Sequence, residues 1–174
     1  MLPARTARRV LLALLPAAAG LWLAALLLAP WAVSRRPASR PVVRLAATVY
    51  LAGGLVCHQQ PSRSFHIRNA RLPVCARCCG LYLGGFSGLL VGMLSPRRAR
   101  RRAGSDENLA RRRRRLIIGA AVPTALVWLL ELAGIVSGIT ANWARALSGL
   151  PLGGTVGWIF WTTLRSWPGP EELR

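Results

Sequence analysis

Apolar residues in this chain fall in long blocks separated by short, arginine-bearing segments. Val10–Val33 is 24 residues without a charge, and Leu116–Thr140 is 25 residues interrupted only by Glu131. About 20 apolar residues cross the hydrocarbon core of a bilayer as a helix, so both blocks read as spans. Cys78–Leu94, with 17 uncharged residues, stands at the lower limit for a span. Ala146–Leu164 adds a last stretch of 19, bent or broken by Pro151 and several glycines. Val42–Val56 has 15 residues and contains Arg44. It spans only if that arginine snorkels and the bilayer adapts; a tilted or half-inserted helix is the alternative. Backbone groups in lipid must be satisfied within the segment, which helices do. The pattern predicts an all-α, polytopic membrane bundle of four or five hydrophobic helices.

The polar segments divide the chain. Residues 1–41 form an N-terminal membrane anchor and linker, 42–164 a membrane core with a Cys/His loop, and 165–174 a tail. The start resembles a signal peptide, with Arg5, Arg8 and Arg9 before an apolar block. That block is too long for a signal h-region and no A-x-A site follows, so it reads as a retained span. Ser95–Arg115 is a loop with ten arginines in two clusters, Arg97–Arg102 and Arg111–Arg115. Arginines near span ends resist translocation, which places this loop in the cytoplasm and Cys57–Val74 on the outer face. If Val42–Val56 crosses, the N-terminus with its three arginines lies outside. If it does not, the N-terminus lies inside and the charge conflict disappears. A multi-pass protein of a prokaryotic inner membrane is the expectation.

Composition sharpens this picture. The 174 residues carry 24 Lys+Arg against 5 Asp+Glu, a net charge of +19, yet 53% are apolar. A soluble nucleic-acid-binding domain would spread that charge over a polar surface and interleave aromatics for base stacking, which this chain does not do. A secreted disulfide scaffold and a disordered basic tail are excluded by the same blocks. Every basic residue is arginine, which reads as genome composition rather than mechanism. The clusters serve topology and contact with the bilayer and its anionic head groups. No nucleic-acid partner is expected; a homo-oligomer is compatible with the sequence, and no soluble partner is indicated.

Glycines recur every four residues in two blocks: Gly80, Gly84, Gly88 and Gly92, then Gly149, Gly153 and Gly157. Residues four apart share a helix face, and small residues there let backbones approach closely in lipid. The stripes predict two helices in tight contact with neighbours, a glycine zipper, with a thin-walled path for a solute as the sharper reading. Gly134 and Gly138 add a third, shorter small-residue face beside Glu131.

All four cysteines lie between Cys57 and Cys79. Cys75 and Cys78 make a CxxC pair, which places two thiols on one side of a turn and commonly ligates zinc. Cys57 and His58 can complete a Cys3His tetrahedron around zinc or another divalent transition metal. Adjacent side chains diverge, so both can bind one ion only at a sharp turn. Gly53, Gly54 and Pro61 permit one. The competing chemistry is redox: a CxxC at a helix start, near Arg77, has an activated thiol and exchanges disulfides. The third reading is inert packing of small apolar side chains. Cys79 falls outside the CxxC spacing, and His66 reads as a surface residue.

The stretch Cys57-His58-Gln59-Gln60-Pro61-Ser62-Arg63-Ser64-Phe65, followed by Cys75-Ala76-Arg77-Cys78-Cys79-Gly80-Leu81-Tyr82-Leu83-Gly84, resembles the signature of a prokaryotic membrane-protein family, domain of unknown function 2085. The resemblance runs from about Gly54 to Phe160. In that family an acidic residue in a later helix and N-x-x-R before a glycine-rich end follow, where Glu131, Asn142, Arg145 and Gly149 stand here. Cys79 replaces an expected Thr, and Glu131 an expected Asp. The resemblance implies a membrane location and one functional unit of Cys57, His58, Cys75 and Cys78, without a reaction.

Glu131 is the only acid inside an apolar block. A charge at bilayer depth costs about 2.5–3.5 kcal/mol on insertion scales, so it faces a partner or a wet cavity. It can pair with Arg77 or Arg145, add a metal ligand, or carry a proton. It lies about 22 Å along a helix from Leu116, at the same outer level as the CxxC motif. Arg63 and Arg77 flank the cysteines and can meet lipid head groups or an anionic substrate. Three functions remain open: a metal-binding membrane protein, a membrane thiol–disulfide oxidoreductase using Cys75 and Cys78, and a small-solute or ion transporter coupled through Glu131.

Overall fold

The computed structural model describes residues 4–35, 39–95 and 106–166. These residues form five α-helices: α1 (Ala4–Ser34), α2 (Arg40–Gly54), α3 (Ala76–Leu94), α4 (Asp106–Leu132) and α5 (Gly138–Ser166). Among the described residues, three stretches are long and apolar enough to cross a membrane: Val10–Ser34, Ala76–Leu94 and Glu107–Leu132. The all-α membrane architecture read from the block pattern is the one observed.

The two glycine stripes meet each other. A Cβ at Gly80 would run into the Ala146 carbonyl, one at Gly84 into that of Leu150, and one at Gly88 into that of Gly154. From the other side, Gly149 would place a Cβ 2.7 Å from the Arg77 carbonyl, and Gly153 and Gly157 would strike the carbonyls of Leu81 and Gly85. Only glycine fits at such a distance, so the backbones of α3 and α5 pack directly on one another. Gly92 ends the contact against Trp161.

Around this pair the other helices are arranged by particular contacts. α1 runs antiparallel to α3: Gly20 meets Phe86, Trp22 stacks edge-on against Tyr82 at 6.1 Å, and Leu26 packs with Cys57 and Val74. α4 lies on the far side of α5, where Thr124 donates to the Ser148 carbonyl at 2.8 Å.

α2 follows a separate course. It ends three residues before Cys57, beside the thiol loop, where Gly53 is held against Pro73. It begins six residues after Ser34, the end of α1 beyond Leu26. Six extended residues reach only about 21 Å, short of the ~30 Å hydrocarbon core. Both ends of α2 are therefore tethered to the thiol end of the bundle. Its 15 residues, about 22 Å of helix, pack along the last turns of α1 rather than running the length of the bundle. The start of α1 consequently lies at the same end as the close of α3 and the start of α4.

Three boundaries differ from the sequence reading. Leu116–Thr140 is not one block: α4 closes at Leu132, Gly134 and Gly138 take φ of 71° and 73°, and α5 starts at Gly138. Those two glycines make a turn, with nothing within 4 Å of their Cβ positions, so the third small-residue face does not form. Arg111–Arg115 belongs to α4 rather than to a loop, with Arg111 paired to Glu107 one turn earlier. Arg97–Arg102 lies outside the described residues. Finally, the polar loop contains a 3-10 turn at Pro61–Arg63 and a two-residue hairpin, β1 (His66–Ile67) and β2 (Ala70–Arg71). His66 pairs with Arg71 and Ile67 with Ala70. Arg68 and Asn69 turn it with positive φ at both positions, the backbone that favours tight hairpins.

Alkaline phosphatase fusions after Ser34 and after Arg71 should agree, both active, and a fusion after Ser166 should be inactive. Opposite results at Ser34 and Arg71 would show that α2 crosses. Gly84→Leu should lower the melting temperature of the purified protein, since overpacking costs about 1–3 kcal/mol or more. Gly119→Leu, with open space at its Cβ, should leave it unchanged.

Candidate metal centre

The thiol cluster is assembled by two reversals of the chain. After α2 the backbone turns sharply at Gln59, whose φ is 47°. The hairpin then returns residues 72–75 to the end of α2. A closed ring of hydrogen bonds holds this return. Tyr50 Oη donates to the Arg71 carbonyl, Arg71 Nη1 donates to the Gln59 carbonyl at 2.8 Å, and Gln59 Nε2 donates to the Tyr50 carbonyl at 2.6 Å. At Gly53 a Cβ would sit 2.5 Å from the Pro73 carbonyl, so the returning segment and the helix end touch backbone to backbone.

The result places the sulfur atoms of Cys57, Cys75 and Cys78 within 4.8 Å of one another. All three are free thiols; Cys57 is buried and the other two are half-buried. Cys75 caps the start of α3, and its backbone N–H donates to Cys57 Sγ at 3.2 Å. The Cys78 thiol, hydrogen-bonded to Cys75, pulls the Cys75 thiol down to about 5. Burial opposes this, and the Cys78 amide, the Cys57 thiol and the Arg77 amide add to it. An amide N–H directed at sulfur favours its charged form, the form that ligates a soft or borderline cation.

The structure therefore brings together three of the four ligands read from the sequence. His58 is exposed, and the group of mutually close donor atoms does not include it. Cys79 is also outside the group; it packs, half-buried, beside Leu26, Cys57 and Val74. His66 is exposed on β1.

A second polar cluster lies beside the first. Glu131 Oε1 accepts from Arg145 Nε at 2.9 Å and from Arg77 Nη2 at 3.3 Å. Arg145 Nη1 donates to Asn142 Oδ1 at 2.6 Å, and Asn142 Nδ2 reaches the Ser62 carbonyl at 3.3 Å. Only 7% of the Glu131 side chain and 9% of Arg145 are exposed. Both alternatives for the glutamate's ion pair are thus realised at once, and Arg77 carries the connection into the CxxC turn. Glu131 Oε2 and Arg77 Nε have no hydrogen-bond partner. Arg63 stands exposed at the end of the 3-10 turn.

Sequence reasoning did not give roles to Tyr50, Gln59, Phe65 or Arg71. Phe65 packs on Trp143 with ring centroids 5.0 Å apart, and Ser64, 1% exposed, donates to the Gln60 carbonyl. The signal was available for some of them: Gln59, Ser64 and Phe65 are motif residues. Their work is to fold the loop onto the bundle.

Fold and site define a helical membrane protein with a thiol cluster at one end of its bundle. The chain belongs to the family described as "Predicted membrane protein (DUF2085)", which it matches over residues 57–159. It is similar to an uncharacterised protein of Methanothermobacter thermautotrophicus, 46% identical over 41 residues, or 24% of this chain and 37% of that protein. It is also similar to the uncharacterised protein MJ1492 of Methanocaldococcus jannaschii, 44% identical over 50 residues, or 29% of this chain and 30% of that protein. The chain thus spans about a third of the length of these curated relatives. No solved structure matches it.

Removing the shared carboxylate should be costly. Glu131→Ala leaves two arginines facing each other with no counter-ion, and breaking a buried pair costs about 3–5 kcal/mol. A drop in melting temperature well beyond that of the exposed-pair variant Glu107→Ala is the expected result.

Proposed function

We propose that this protein is a metal-binding protein of the prokaryotic cell membrane, holding zinc or a similar divalent ion at Cys57, Cys75 and Cys78. The observation that carries the reading is the proximity of the three sulfurs, contributed by two segments of the chain 18 residues apart. Zinc–sulfur bonds are about 2.3 Å, so the sulfurs of one tetrahedron lie roughly 3.5–4 Å apart. The observed upper limit of 4.8 Å lies close to that range. His58, next in sequence to Cys57 and exposed, is the residue proposed for the fourth position. Without it, the fourth position is open to water or to a ligand, the arrangement of sites where the ion takes part in binding or chemistry.

A second reading rests on the same Cys75 and Cys78: a thiol pair at a helix start, hydrogen-bonded to each other, suits disulfide exchange. The arginine rule supports placing the pair at the outer membrane face.

Metal analysis of protein purified under reducing conditions separates the two. One zinc per chain, lost in Cys57→Ser, Cys75→Ser and Cys78→Ser and retained in Cys79→Ser, is expected. No metal, together with a loss of free thiols on mild oxidation confined to Cys75 and Cys78, would overturn the metal reading in favour of exchange. His58→Ala should weaken zinc retention against a chelator if it supplies the fourth ligand.

A further inference from the structure

Between α1 and α5, with α3 as its floor, runs an apolar groove of about 490 Å³. Trp22, Tyr82, Phe86, Val156 and Phe160 form its walls, and Gly85 leaves its floor open. Two of its bounding helices, α1 and α3, contain membrane-length apolar stretches, so the groove opens to hydrocarbon rather than to water. Its upper end is shared with the thiol cluster, because Trp22 and Tyr82 also pack against the core of Leu26, Cys57 and Val74. Tyr82 lies one helical turn, about 6 Å, below Cys78, and Leu89 about 10 Å further down. That run has the length and direction of the upper part of a lipid acyl chain.

The loop at that end, whose hairpin packs against α1, is cationic. The segment Leu55–Cys75 contains Arg63, Arg68 and Arg71 and no acid. Arg63 and Arg68 are exposed. The carboxylate nearest the motif, Glu131, is already held by two arginines. We infer that the groove binds one acyl chain of an anionic phospholipid, with its phosphate head group against the arginines of the thiol loop. The apolar walls select the chain, and the uncompensated charge selects the head group. The head group then lies beside the thiol cluster, which makes an anionic lipid the ligand class this end of the protein meets. The inference stands on the groove and the charge, independently of any metal.

The test uses the full-length protein in phosphatidylcholine bilayers doped with phosphatidylglycerol that carries a diazirine midway along one chain. Crosslinked residues are mapped by mass spectrometry. Labelling at Tyr82, Phe86, Val156 and Phe160 should exceed that at the exposed Leu126 and Leu130 of α4 by about tenfold, a 1.4 kcal/mol preference. The same diazirine chain on phosphatidylcholine should show no such preference. Gly85→Leu fills the floor; a Cβ there has only the Gly153 carbonyl nearby, at 3.9 Å, so the helix pair is left intact. In that variant groove labelling should fall to the α4 level while the number of titratable thiols is unchanged. Uniform labelling of groove and α4, equal labelling by both head groups, persistence in Gly85→Leu, or no groove labelling because a second copy covers it would each overturn the inference. A protein without bound zinc that still labels the groove would remove the metal reading and leave this one standing.

Discussion

Direct backbone contact between α3 and α5 is the constraint on which the rest of the structure depends. In lipid, an apolar side chain gains little by leaving hydrocarbon for a protein surface of equal polarity, so association must come from close packing. Here six glycines clear side chains from the seam, and carbonyl oxygens of one helix fill the space above the Cα atoms of the other; a seventh, Gly92, closes it against the Trp161 side chain. Such a seam has one register. Ala146 opposite Gly80 sets Arg145 beside Arg77, and both then reach the same oxygen of Glu131. A slip of one turn, about 5.4 Å, would separate them. The glycine stripe therefore determines the electrostatics one layer above it.

That electrostatic layer and the thiol loop are attached to the bundle by different means. Asn142 links the Arg145–Glu131 pair to the Ser62 carbonyl, and Phe65 lies on Trp143, so the first half of the loop belongs to α5. The second half belongs to α2 through the ring of Tyr50, Arg71 and Gln59. Cys57 precedes the one attachment and Cys75 follows the other. The thiols are brought together because the loop between them is fixed at both margins, leaving little conformational freedom to be lost when they approach.

The helices and the cysteine cluster were legible because their signals are compositional: uninterrupted apolar length, a period of four in glycine, the CxxC spacing. What escaped was set by single backbone angles or by partners distant in sequence. Nothing in the apolar run around Ala133–Ser137 marks it as a turn except Gly134 and Gly138, and glycine in this chain is also the helix-packing residue. Arginine is a good helix former, so the charge of Arg111–Arg115 marked a membrane boundary but concealed the start of α4 at Asp106. Gly53, Gly54 and Pro61 permit a sharp turn near Cys57 and His58, and the structure makes one at Gln59. Its consequence, an exposed His58 beside a buried Cys57, depends on which way the turn leads.

The hydrogen-bonded ring of Tyr50, Arg71 and Gln59 bears on how the chain is made. Every residue of the ring, and all three clustered thiols, precede α4 and α5 in the chain. The second half of the loop can thus close on α2 before α4 and α5 are made, while its first half waits for Asn142 and Trp143 of α5. α3, by contrast, waits with a bare strip of glycine backbone until α5, which begins only at Gly138, arrives. Biogenesis is divided accordingly: one margin of the sulfur centre is set before the seam, and the other is set together with it.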